Sequence, residues 1–181
     1  MDCLESLTRN DQATRMSAAL ADGESAAFRL AMREFASGVA IVTCGEGDGR
    51  AGCTATALAS LSLTPPSLIV CIDHAAATLA RLRQCGVFAV NILATRHEAL
   101  AERFAGRGDV KGAARFAQGE WVTLETGAPV LSDALAIIDC RVEDIIDRHT
   151  HAIIVGAVVA AHRGDHGPAL VHWRSRFETL A

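Results

Sequence analysis

This chain predicts a mainly β fold, a closed or partly split barrel of Greek-key type with α-helices at its periphery. Three observations lead there. Short runs rich in Val, Ile and Ala recur at regular spacing between turn-forming Gly, Pro and Asp clusters. Helical periodicity is confined to a few places, and strands do not alternate steadily with helices as a doubly wound parallel sheet requires. Half of the 181 residues are hydrophobic while 4% are aromatic and none is tyrosine, so the core must be assembled from Ala, Val, Leu and Ile. That length suits one domain with a real core.

In chain order, residues 1–23 are polar and alanine-rich without a long apolar stripe, and predict a flexible or helical arm; residues 24–181 form the barrel domain. Ser25 can cap a helix in which Phe28, Ala31, Met32 and Phe35 recur at helical spacing, which predicts a core-facing helix ended by Gly38. Val39 to Cys44 is β-branched and strand-like, GEGDGR is a turn, and Ala51 onward is its hairpin partner. An apolar strand runs from Leu68 to Ile72. Residues 75–86 predict a helix with Leu79 and Leu82 inward and Arg81 and Arg83 outward. Val87 to Leu93 is a strand, and Thr95 caps a helix that turns Leu100 and Phe104 inward. Gly106 to Gly112 reads as a mobile loop, and residues 116–125 and 127–131 as short strand pieces. Two long strands follow, 134–146 and 151–162, and one final strand spans 168–177.

Bulk properties narrow the function. A net charge of −4 gives no broad positive field to draw nucleic acid or an anionic membrane. The six cysteines contain no C-x-x-C pair and mostly lie in apolar runs, as reduced core residues do. No apolar run approaches the roughly 18–20 residues that span a bilayer, and the start lacks a basic-then-apolar signal pattern. The sequence therefore predicts a cytoplasmic protein. The turn GEGDGR is not followed by a helix carrying Lys-Ser/Thr, so a phosphate-binding P-loop is not indicated.

The stretch from Gly52 to Asp73, GCTATALASLSLTPPSLIVCID, stands apart. Its small residues Thr54, Ala55, Thr56, Ala57, Ser60 and Ser62 precede Pro65-Pro66, where an ordinary strand would carry bulky side chains. Small side chains leave backbone N–H groups and hydroxyls open to a ligand, which makes this stretch a candidate wall of a binding site. Asn91 interrupts an apolar strand, so its amide either meets a ligand or ties neighbouring backbone. His149 and His151 share a strand face, with His162, His166 and His172 further on, yet no acidic residue completes a familiar metal spacing. No G-x-S-x-G or glycine-rich dinucleotide fingerprint is present.

The pattern G-x-T-A-T-A-x-x-S-x-S-x-x-P-P-S-L-x-V-C-I resembles the flavin reductase family, the NAD(P)H:flavin partners of two-component aromatic monooxygenases. FRLAMREFASGVAIVT at residues 28–43, FAVNIL at 88–93, RFAGRGD at 103–109, GAPVL at 127–131 and the Thr150-His151 pair extend the resemblance over about residues 28–180. It implies an FMN-binding split barrel, a homodimer with flavin near the subunit boundary, and FAD or FMN reduced by NADH, less readily by NADPH. It implies flavin contacts from Thr54, Ala55, Thr56, Ala57, Ser60, Leu61, Ser62, Cys71, Ile72 and Asp73. Thr78 would reach ribityl or phosphate oxygens, or cap its own helix. Phe104, Ala105, Gly106 and Arg107 match a segment near the flavin, with Arg107 as a phosphate or nicotinamide-nucleotide contact. His151 would lie on the nicotinamide side and help seat NADH as the catalytic residue, and Trp173 could cover the flavin from the partner subunit. The chain departs from the family where His149 stands in place of a glycine, which puts that turn in question.

Hydride transfer between two cofactors needs alignment and water exclusion rather than a protein acid, base or nucleophile. The resemblance thus implies an NADH-dependent flavin reductase that hands free reduced flavin to a monooxygenase, in aromatic-compound degradation. Two other readings stay open: a barrel that retains FMN as an electron-transfer or sensing module, and a metal-dependent hydrolase built on the late histidines.

Overall fold

The computed structural model describes residues 25–164 and 166–180, so the arm expected over residues 1–23 lies outside the described part. The chain divides into two compact units, one holding residues up to Ala36 with Trp173–Ser175, the other Ser37–His172 with the residues from Arg176 on. In the first, helix α1 spans Ser25–Met32. The inward face expected of it is corrected: none of its residues is buried, and Phe28 and Phe35 are each 65% exposed. Periodicity assigns residues to one helix face but does not supply the element that would cover it. Among its described residues, polar contacts join this unit's two segments. Arg174 donates from Nε and Nη2 to Glu34 Oε2 at 3.0 and 2.8 Å, and Arg33 Nε donates to Ser175 Oγ at 2.7 Å.

Among its described residues, the second unit is built from twelve strands and two helices. The strands are β1 (Ser37–Gly38), β2 (Ala40–Cys44), β3 (Ala51–Ala55), β4 (Leu58–Leu63), β5 (Pro66–Asp73), β6 (Val87–Ile92), β7 (Trp121–Thr123), β8 (Pro129–Leu131), β9 (Ala136–Arg148), β10 (His151–Arg163), β11 (Ala169–Trp173, whose last residue belongs to the first unit) and β12 (Arg176–Leu180). The helices are α2 (Ala77–Cys85) and α3 (Glu98–Phe104). Seven strands form one antiparallel sheet in the order β3-β2-β6-β9-β10-β5-β4. Its two outer strands, β3 and β4, are consecutive in the chain and joined only by Thr56 and Ala57. Three Cα–Cα steps span at most about 11 Å. The sheet therefore has to curl until its edges meet, and because β3 and β4 do not pair, the barrel stays split along that seam. The β4–β5 ladder reaches one residue into this connection, where the Cys71 N–H donates to the Ala57 carbonyl at 3.0 Å.

Strand alternation distributes the core to both faces of the sheet. All five residues of β2 are buried; Ala40, Val42 and Cys44 pack with Phe88, Val90, Val70, Ile154 and, from α2, Leu79 and Leu82, while Ile41 turns to the other cluster with Leu100, Phe104 and Leu131. Helix α2 carries Leu79 and Leu82 inward as the periodicity predicts, and it ends at Gly86, whose φ of 67° is the left-handed cap that glycine adopts without strain.

Several expected boundaries shift. The stretch read as one wall spans three strands, most of β3 and all of β4 and β5. Thr95 does not cap α3: it opens a short 3₁₀ turn and donates its hydroxyl to Pro168 O, while the His97 ring accepts the Ala94 N–H. Phe116 lies in a 3₁₀ segment, Gly112–Ala117, instead of a strand. The single closing strand is a hairpin, β11–β12, turned by Arg174 and Ser175, both at positive φ. His149, where the resembling sequences carry glycine, also sits at positive φ, 49°, so the turn keeps the backbone shape that a glycine would take.

Candidate active site

Four segments converge on a cavity of about 350 Å3: Ala51–Cys53 of β3, residues 75–78 leading into α2, Phe104 and Ala105 at the end of α3, and Lys111, Gly112 and Arg115 beyond it. Its lining is mostly Ala and Gly, which keeps it open, and its charge is cationic. Arg115 frames it. The guanidinium donates from Nη1 to the carbonyls of Gly52 (3.1 Å) and Phe104 (3.2 Å) and from Nε to that of Val110 (3.1 Å), linking β3, α3 and the loop that follows α3. Helix α2 enters with Ala76 at its N-cap and no side-chain cap, so the first N–H groups of the helix have no side chain of their own to satisfy them. Lys111, Arg115 and a helix N-terminus suit an anionic group such as a phosphate ester.

The cavity holds no ready nucleophile. Burial pushes the Cys53 thiol up to about 11, against the lowering influence of its hydrogen bond with Thr78 and of the Arg115 charge. It stays a neutral thiol at physiological pH. The same cause, burial, raises Cys140 to about 12 and drives Cys44 higher still. These side chains bind and shape; they do not attack.

The residues singled out from sequence fall into distinct groups. Thr78, Phe104 and Ala105 line the cavity. Gly106 and Arg107 follow directly, but Arg107 pairs with Glu102 at 2.8 Å and lies over the Phe177 ring, so the cations on the cavity are Lys111 and Arg115 instead. Thr54 commits its hydroxyl to the Ala101 carbonyl at 2.6 Å, tying β3 to α3, and Ala55 is buried in the barrel core. Thr56 and Ala57 form the exposed seam. Ser60 and Ser62 line a second, mainly apolar cavity of about 400 Å3 on β4 with Leu58, Leu63, Ile92 and Val158, and Leu61 is exposed beside it. In β5, Cys71 is half-buried, Ile72 points into the core, and Asp73 accepts the Ala75 N–H at 2.8 Å in the turn towards α2. His151 opens β10 in register with Asp73, two residues before the cavity-lining Ala75, with its Nδ1 2.8 Å from Thr150 Oγ1. Trp173, in the first unit, carries the Arg174 guanidinium 4.4 Å from its ring centre.

Of the two uses open to Asn91, the structure shows the one that ties neighbouring backbone. It is fully buried, its Nδ2 donates to Ile41 O (3.0 Å) and Thr43 Oγ1 (3.3 Å), and its Oδ1 accepts the Leu131 N–H (2.7 Å). Thr43 in turn donates to Pro129 O at 2.5 Å, so one polar network ties β2, β6 and β8. Asn91→Leu leaves the Leu131 N–H buried without its acceptor, and should lower stability by about 2 kcal/mol in urea unfolding. An unchanged midpoint would refute that structural role.

Comparison with known proteins completes the picture. Residues 32–181 match the flavin reductase like domain family. The chain belongs to that family. It is 42% identical over 167 residues to FMN reductase (NADH) RutF 1 of Methylorubrum extorquens strain PA1, covering 91% of this chain and 80% of the relative. Among solved structures, BorF, the flavin reductase component of a bacterial two-component tryptophan halogenase, superposes with a TM-score of 0.79 at 34% identity, covering 86% of this chain and 98% of that one. The NADH:FAD oxidoreductase SgcE6 of Streptomyces globisporus, in complex with NAD and FAD fragments, gives a TM-score of 0.77 at 30% identity, covering 85% and 91%. This flavin reductase-like chain is thus a split-barrel oxidoreductase. Lys111 and Arg115 were not singled out from its sequence; their signal is two cations four residues apart at the end of a glycine-rich loop and just beyond it.

Proposed function

We propose that this chain uses NADH to reduce FMN and releases the reduced flavin to a separate oxygenase component. The observation that carries the reading is the cationic cavity at the start of α2, beside an open barrel seam, in a chain so close to an enzyme named for FMN and NADH. The flavin, when bound, supplies the redox chemistry by accepting hydride from the nicotinamide. Lys111, Arg115 and the α2 N-terminus would hold its phosphate, the seam at Thr56 and Ala57 would border its ring, and His151 would orient the nicotinamide. Each contributes position and water exclusion. The exposed apolar residues Leu61 and Leu63 and the apolar β4 cavity favour a homodimer, since an isolated surface gains by covering such a patch. The relation to a halogenase reductase supports a two-component system, and an oxygenase acting on an aromatic or heterocyclic compound is its natural recipient.

The test is NADH oxidation by the purified protein with FMN, with FAD and without flavin. FMN-dependent turnover exceeding that with FAD supports the reading. Flavin held through purification with NADH untouched would replace it with a flavin-retaining module. His151→Ala should lower kcat/KM for NADH about tenfold, roughly 1.4 kcal/mol of transition-state stabilisation. Unchanged NADH kinetics in that variant would remove His151 from the nicotinamide side.

A further inference from the structure

The hairpin tip that carries His151 is anchored from one side by a carboxylate outside the cavity lining. Asp147, the second-last residue of β9, receives the Arg83 guanidinium from α2, and its Oδ1 lies 3.3 Å from His74 Nε2 in the turn between β5 and α2. Backbone and tip add to the same junction: the His74 N–H donates to the Thr150 carbonyl at 3.0 Å, and Thr150 Oγ1 meets the His151 ring. The tip needs such support. Its two connecting residues are His149 and Thr150, and His149 sits in a left-handed conformation that L residues adopt at a cost.

Resting on the reading that His151 orients the nicotinamide, we propose that Asp147 is a positioning residue: through His74 before α2 and Arg83 in its last turn it clamps the His151 tip to α2, the element that also borders the flavin-side cavity. One helix then sets the geometry for both reactants. Arg83 projects from the last turn of α2, and residues 75–78 before and within its first turn line the cavity. A tip free to swing would leave the flavin seat intact and misplace His151 alone.

The experiment compares Asp147→Asn, Asp147→Glu and Arg83→Gln with the parent chain, by amide hydrogen exchange without ligands and by steady-state kinetics with NADH and FMN. The clamp involves half-exposed charges, so effects of roughly three- to fivefold are in scale. Exchange at residues 149–151 should quicken in Asp147→Asn and Arg83→Gln, with a three- to fivefold rise in KM for NADH at constant KM for FMN. Asp147→Glu should restore most of both. Unaltered exchange at the tip would overturn the clamp, whatever the enzyme reduces. Faster exchange with unaltered NADH kinetics would overturn the positioning role and with it the nicotinamide reading of His151, while FMN turnover would leave the reductase reading standing.

Discussion

Gly156→Ala should lower the stability of the barrel by about 3 kcal/mol, and Gly156→Val should prevent folding at moderate temperature. Gly156 lies in β10 where its pairing with β9 shifts register, and a Cβ built on it overlaps Cζ of Phe88 and falls 2.9 Å from Cε1 of that ring and 3.2 Å from Cys140 Cβ. Phe88 is, with Phe104, one of the two largest fully buried side chains among the described residues and has no exposed surface, so the ring has nowhere to retreat in a close-packed interior. Urea unfolding measures the loss. Phe88→Leu is the control: alone it leaves a cavity, but combined with Gly156→Ala it opens room for the added methyl, so the double variant should be more stable than the sum of the single effects requires. Equal midpoints for the parent and Gly156→Ala would show that the core accommodates the group.

The same residue shows how far the sequence could be read. The run AIIVGAVVA announces a strand, but nothing in it says that Phe88, far away in the chain, occupies the space above its glycine. The barrel class was legible because alternation and turn spacing are local. Its closure became visible only in sheet order, where two strands adjacent in sequence prove to be opposite edges. The site was legible in part for a similar reason. The small residues at 52–62, read as a candidate ligand wall, include Thr56 and Ala57 at the split of the barrel, but the hydroxyl of Thr54 and the amide of Asn91 are spent on partners 47 and 40–50 residues distant, and sequence cannot reveal such partners. The apolar face of α1 failed in the opposite direction, for its stripe is local and its cover is not.

Replacing Arg115 separates what the cavity's cations do by charge from what they do by architecture. Arg115→Met keeps the stem but removes the donors to Gly52, Phe104 and Val110, so three carbonyls that one guanidinium gathers lose their common partner. Each bond to a charged donor is worth about 1.5–3 kcal/mol where solvent does not replace it. The expected result is flavin affinity weakened about a hundredfold, or roughly 2.7 kcal/mol, with a smaller fall in unfolding midpoint because the loop is half-exposed. Arg115→Lys should recover little, since an ammonium cannot span three acceptors in the planar geometry of a guanidinium. Lys111→Met removes charge alone and should cost about tenfold in flavin affinity with no change in stability. Flavin titration by fluorescence quenching, run beside thermal unfolding, reads both quantities. Undiminished affinity in both methionine variants would move the flavin phosphate away from this cavity. A loss confined to Arg115→Met would instead assign the cavity's selectivity to the shape that Arg115 enforces, with Lys111 contributing only to the approach of the anion.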